Sequence, residues 1–192
     1  MAGRPGRRES FAERRERRAA VEDPAVVVEA AARFLEARSR SIAEVRRRLS
    51  GAGYRADLVE GAIVRLTELG MLDDEQFARS WVESRDRARP RGERAIRDEL
   101  RQKGIDRATS DLVVDERRAG AAETMDPMGT PGSADQVAAD RLLAKHERAL
   151  ARVADPRKRR QRAYALLARN GFDPEICSTL AARVATAPSD ED

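Results

Sequence analysis

The chain holds few of the residues that carry covalent or metal chemistry. Its 192 residues include one Cys and one His. A single Cys excludes an intramolecular disulfide and fits a reducing compartment. No Ser/His/Asp set, metal-ligand cluster or phosphate-cradling glycine loop is present. The chain therefore reads as a non-enzyme with no cofactor and no metal. Aromatic residues are only 4%, which argues against a thick α/β core and against base-by-base stacking on single strands. No apolar run is long enough to cross a membrane. The basic start of the chain has no apolar stretch after it, so it does not read as a signal peptide. The expectation is a soluble, cytoplasmic monomer with no membrane partner.

Strand-like alternation is also missing, and helix punctuation is dense. Asp23-Pro24, Asp155-Pro156 and Asp173-Pro174 each pair an N-cap with a Pro at the first helical position. Ser41/Glu44, Asp73/Gln76 and Ser133/Gln136 have capping-box spacing. Behind them fall apolar faces: Val27, Ala31 and Phe34; Ile42, Val45 and Leu49; Leu58, Val59, Ala62, Ile63 and Leu66. Phe77, Ala78 and Trp81 follow, then Ile96 and Leu100, then Leu112 and Val113. The Asp73-Asp74 pair reads as capping with a favourable helix dipole. His146, one turn from Leu143 and Leu150, reads as a boundary or core histidine, and Cys177 as a small buried hydrophobe.

Three stretches share one pattern. Leu49-x-x-x-Gly53-Tyr54, Leu100-x-x-x-Gly104-Ile105 and Leu167-x-x-x-Gly171-Phe172 each suit a helix that ends on a left-handed glycine, with the next apolar residue folding back. The glycines are 51 and 67 residues apart. The difference of 16 equals the length of residues 119–134, which contain no Lys or Arg, two Pro and three Gly and read as a linker. The fold class is therefore all-α: three tandem three-helix repeats in an elongated, curved right-handed array. The expected division is a basic arm at 1–22, modules at 23–70, 71–118 and 133–187, a linker at 119–132 and an acidic tail at 188–192. Residues 1–20 carry seven Arg against three Glu and read as disordered or weakly helical.

Charge is the positive signal. Lys and Arg number 38 and Asp and Glu 34, for a formal net charge of +4, but the distribution is uneven. The middle helix of each module is basic. Arg46, Arg47 and Arg48 lie in the first. Arg94, Arg97 and Arg101 share a face of the second, with Arg91 just before it. Lys158, Arg162 and Arg169 align within about 40° on an ideal helix in the third. Residues 152–169 hold seven positive charges and one negative. Pairs such as Glu93/Arg97 and Glu99/Lys103 offset part of the second set. Such stripes suit a polyanion or an acidic protein surface. The candidate contact residues are Arg46, Arg47, Arg91, Arg94, Arg97, Arg101, Lys158 and Arg162.

The stretches "GMLDDEQFARSWVESR" and "RPRGERAIRDELRQKGID", in that order, resemble the core signature of the bacterial regulatory protein RecX family. "SRSIAEVRRRLSGAGYRADLVEGAIVRLTELG" resembles that family's opening. The resemblance spans about residues 24–187 and is strongest over 40–107. It implies three three-helix repeats and a modulator of the RecA recombinase in DNA repair and the SOS response. Such a protein binds the RecA–DNA filament in its groove and restrains filament growth, ATP hydrolysis, strand exchange and coprotease activity. The implied partners are the RecA filament and single- and double-stranded DNA, the latter through phosphates. The alternative is an autonomous helical DNA-binding protein that acts without RecA. Residues 1–20 lie outside the resemblance, and Met71 stands where a bulkier residue is expected.

Overall fold

A computed structural model describes residues 9–123 and 133–186. Every described element is a helix, in the order α1 (Phe11–Ala19), α2 (Pro24–Glu36), α3 (Ile42–Ala52), α4 (Ala56–Glu68), α5 (Asp74–Ala88), α6 (Glu93–Gln102), α7 (Arg107–Glu123), α8 (Ala134–Ala151), α9 (Pro156–Arg169) and α10 (Pro174–Thr186). The chain divides into two compact units, Met1–Phe77 and Ala78–Asp192.

The punctuation works as the residues imply. Asp23 accepts from the Ala25 amide, Ser41 and Glu44 form a reciprocal capping box, and Asp155 accepts from the Arg157 and Lys158 amides. Each bond satisfies an amide that has no partner inside its own helix. Asp74 has a longer reach. Its carboxylate accepts from the Ile42 amide at 2.9 Å, so the first turn of α5 caps the start of α3.

The three expected helix endings share one geometry. Gly53, Gly104 and Gly171 have φ of 102°, 82° and 82°. Tyr54, Ile105 and Phe172 donate back to Leu49, Leu100 and Leu167 at 3.3, 3.0 and 3.4 Å, the long bond of a Schellman ending. The three leucines are at most 2% exposed. A fourth copy closes α4: Gly70 has φ of 69°, and the Met71 amide donates to Leu66 at 2.9 Å. The motif thus marks a helix end wherever it occurs, and helix order is what sets the repeat. Helices α2–α4, α5–α7 and α8–α10 are its three triplets.

In the first unit, Val27 and Ala31 of α2, Val45 and Leu49 of α3, and Val59, Ala62, Ile63 and Leu66 of α4 close one core with Leu72. In the second, Ala138, Ala139, Leu142, Leu143 and Leu150 of α8 pack with Ala163 and Leu167 of α9, Phe172, and Cys177, Leu180 and Ala181 of α10. Burying each of the larger side chains contributes about 1.5–3 kcal/mol. Burial also pushes the Cys177 thiol above its ordinary range.

Several expectations differ from the structure. Residues 11–19 of the expected arm are an ordered helix with its own capping box between Ser10 and Glu13; residues 1–8 lie outside the described residues. Helix α7 runs on to Glu123, so the first part of the expected linker is helical. Residues 124–132 and the tail from 187 onward lie outside the described residues. His146 is exposed, not a boundary or core residue. It falls within the apolar stripe of α8, but residues 144–149 are all exposed. Helix α8 has 18 residues against 14 and 13 in its partners α9 and α10, and this turn touches α5 through Lys145, which donates to the Ala88 carbonyl at 2.7 Å. Leu112 is 42% exposed, and Val113 and Val114 take the inward positions.

Candidate polyanion-binding surface

The three basic middle helices differ in what their cations touch. On α3, Arg46 is exposed and forms a two-pronged pair with Glu60 of α4, at 2.6 and 2.8 Å. That guanidinium holds the Glu60 carboxyl below its ordinary range. Arg48 lies over the Phe34 ring, 5.6 Å from its centroid. Arg47 is exposed and makes no ion pair with a described residue.

On α6, most of the charge is committed within the fold. Arg97 bonds Glu93 at 3.1 Å and Asp111 of α7 at 3.0 Å. Arg101 pairs with Asp98 at 2.9 Å. Arg91 is half-buried: it donates to the side-chain oxygen of Asn170 and stands 3.5 Å from Glu99. Arg94 is exposed and forms no ion pair with a described residue; it makes a 3.5 Å contact with the Ala168 carbonyl. Arg94, Arg97 and Arg101 line a cleft of about 640 Å³ with Arg118, and Glu93, Asp98, Asp135 and Asp173 line it too. Four cations meet four acids there, so the cleft has no excess charge to offer. Glu99, expected to serve Lys103, accepts from Trp81 at 2.8 Å and from Arg85 at 2.6 Å; Lys103 sits over the Trp81 ring at 4.8 Å.

Helix α9 is the exception. No acid occurs from Pro156 to Phe172. Arg157, Lys158, Arg160, Arg162 and Arg169 are exposed, as is Arg152 just before the helix. None of them forms an ion pair with a described residue. Arg159 is the one that turns inward: it is 3% exposed and donates to the Val153 carbonyl at 3.0 Å. Ala163 and Leu167 share its buried side, which leaves the rest of the helix surface cationic around an exposed Tyr164.

Sequence reasoning missed the group that ties α5, α7 and α8 together. Arg117 is 5% exposed at its side chain. It grips both oxygens of Asp86 at 2.9 Å and reaches Asp135 at 2.6 Å. The other oxygen of Asp135 accepts from the Glu93 amide at 3.1 Å. That bond supplies the cap that Gly92, with no side chain, cannot give α6. Nothing on the local helix face distinguishes Arg117 from a solvated arginine, because its partners come from distant positions. Among the described residues no group of three or more His, Cys, Asp or Glu is placed to hold a metal ion, and no helix is long and apolar enough to cross a membrane.

This arrangement describes an all-helical repeat protein with cationic helix faces. Residues 28–66 match RecX, first three-helix domain, and residues 73–113 match RecX, second three-helix domain. Regulatory protein RecX of Mycolicibacterium smegmatis is 35% identical over 144 residues, covering 75% of this chain and 71% of that protein. Regulatory protein RecX of Mycolicibacterium vanbaalenii is 34% identical over 161 residues, covering 81% and 78%. A crystal structure of RecX from Lactobacillus salivarius has the same fold, with a TM-score of 0.65 over 86% of this chain and 99% of that one, at 18% identity. The chain belongs to the RecX family.

Proposed function

We propose that the chain regulates the RecA recombinase. It binds the RecA–DNA filament in its groove and restrains filament growth, ATP hydrolysis, strand exchange and coprotease activity. Family membership carries this reading. The reading also fits the absence of a catalytic constellation among the residues described.

Within it, the eight candidate cations divide. Arg47, Arg94, Lys158 and Arg162 are exposed, form no ion pair with a described residue, and are available to contact the filament. Arg46 and Arg101 can be released at small cost, since exposed pairs contribute only about 0.2–1 kcal/mol. Arg91 and Arg97 act from behind, by holding the α6 region in place. The test is co-sedimentation with RecA filaments assembled on DNA. Binding that weakens at least tenfold in Lys158→Gln/Arg162→Gln supports the surface. No co-sedimentation of the unaltered chain would sink the reading.

The uncompensated charge of α9 favours a second reading, a DNA-binding protein that acts without RecA. The two separate at a salt concentration where binding to bare DNA is negligible: a RecA regulator still sediments with filaments there, and an autonomous DNA binder does not.

A further inference from the structure

Helix α1 precedes every residue matched by the two RecX domains, which begin at residue 28. It is nevertheless built into the first unit. Gly53 leaves room for it: a Cβ on that glycine would stand 2.5 Å from Arg15 Cγ and 2.9 Å from the Arg15 carbonyl oxygen. Arg18 lies over the Tyr54 ring at 5.7 Å and donates to the Ala52 carbonyl at 3.5 Å, at the end of α3. A cation there also meets the negative end of the α3 dipole.

The acids nearby do not neutralise this helix. Glu13 is used by the capping box with Ser10. Glu9 bonds Arg17 at 2.9 Å, and that bond, then the nearby charges of Arg17, Arg14 and Arg18, hold its carboxyl below the ordinary range. One carboxylate thus serves three guanidinium groups. On an ideal helical wheel Arg14, Arg15, Arg17 and Arg18 fall within about 160°, and Glu16 lies outside that arc. Arg14 and Arg15 are exposed and form no ion pair with a described residue. Residues 1–20 hold seven Arg and three Glu, a net +4, which is the formal net charge of the whole chain.

We infer that α1 is a preorganised phosphate-binding element that holds the nucleic-acid backbone through Arg14 and Arg15. All its cations are arginines, whose planar fork matches a phosphate in two-pronged geometry. A membrane surface is a poor fit, because beyond Phe11 the helix has only alanines to insert.

The experiment uses the full chain and duplex DNA without RecA, so its outcome is independent of the proposed RecA role. Affinity is measured by anisotropy between 50 and 200 mM salt for the unaltered chain, Arg14→Gln/Arg15→Gln and Arg14→Lys/Arg15→Lys. Loss of two phosphate contacts lowers the slope of log K against log salt by about 1.8 and makes binding roughly tenfold less sensitive over that range. The Lys variant restores most of the slope. Arg14→Gln alone, which disturbs no packing, lowers it by about 0.9. An unchanged slope in both Gln variants, with an unchanged melting temperature, overturns the inference. So does tighter binding to anionic phosphatidylserine vesicles that duplex DNA fails to displace.

Discussion

The Gly92 amide donates to the Asn170 carbonyl at 2.9 Å, and the backbones run so close there that a Cβ on Gly92 would stand 2.3 Å from the carbonyl oxygen of Gly171. Gly171 faces the same limit from the other side, with Ala95 Cβ at 2.4 Å from where its own Cβ would lie. The glycine that closes α9 therefore has two duties: it takes a left-handed backbone and it admits the start of α6. The start of α6 and the end of α9 thus come within backbone contact of each other, beside the Ala95 Cβ.

Gly92→Ala is expected to destabilise the second unit by about 1–3 kcal/mol, the usual cost of overpacking, because the obstructing atoms are backbone. Gly61→Ala is the control. Nothing stands within 4 Å of a Cβ at that position in α4, so it stabilises by about 0.5–1 kcal/mol through helix propensity. Urea unfolding curves of the two variants check both signs.

Arg117→Met leaves Asp86 and Asp135 without their shared cation, and Asp135 is itself 9% exposed at its side chain. Breaking a buried ion pair from one side costs about 3–5 kcal/mol. The triple variant Arg117→Met/Asp86→Asn/Asp135→Asn removes the stranded charges and recovers part of that loss. Thermal unfolding of the single and triple variants tests the network.

Much of this architecture was legible in the residues. Aspartate–proline and serine–glutamate caps, and glycine after a buried leucine, are local signals whose partners sit within six residues. The capping box of α1 was of the same kind, but the charge density around Ser10 and Glu13 made the segment read as a tail. On α6 the Glu93–Arg97 pair was legible from its spacing, but the second partner of Arg97 was not, because Asp111 comes from the next helix. Arg117 was silent for the same reason on a larger scale. Helix α9 gave the opposite result: with no acid from Pro156 to Phe172, its charge could not be cancelled locally.

The two basic surfaces should respond differently to mutation. Arg97→Gln breaks bonds to Glu93 and Asp111 and is expected to lower the melting temperature by a few degrees. Lys158→Gln and Arg162→Gln break no ion pair with a described residue and leave it unchanged, while weakening polyanion binding. Scanning calorimetry alongside DNA anisotropy separates the two effects.

Acid should destabilise the fold in a defined window. Hydrogen bonds from Arg46, Arg97 and Arg79 hold Glu60, Asp111 and Glu116 below their ordinary values of 4.5, 3.8 and 4.5. A carboxylate with a depressed folded pKa contributes stability above its unfolded pKa and loses it as pH falls through the folded value. These three groups therefore leave stability flat from pH 6 to 8 and lower it below about pH 4. Because the pairs are exposed, the loss is modest, and 1 M salt should reduce it. Unfolding midpoints measured across pH check the sign.

RecA's DNA-stimulated ATPase tests the central claim most directly. The chain is added below the RecA concentration, at salt where its own DNA binding is negligible. The account predicts inhibition by the unaltered chain, and inhibition weakened at least tenfold in the folded variant with Arg157, Lys158, Arg160 and Arg162 changed to Gln. ATP hydrolysis that proceeds unchanged with the unaltered chain present would contradict it.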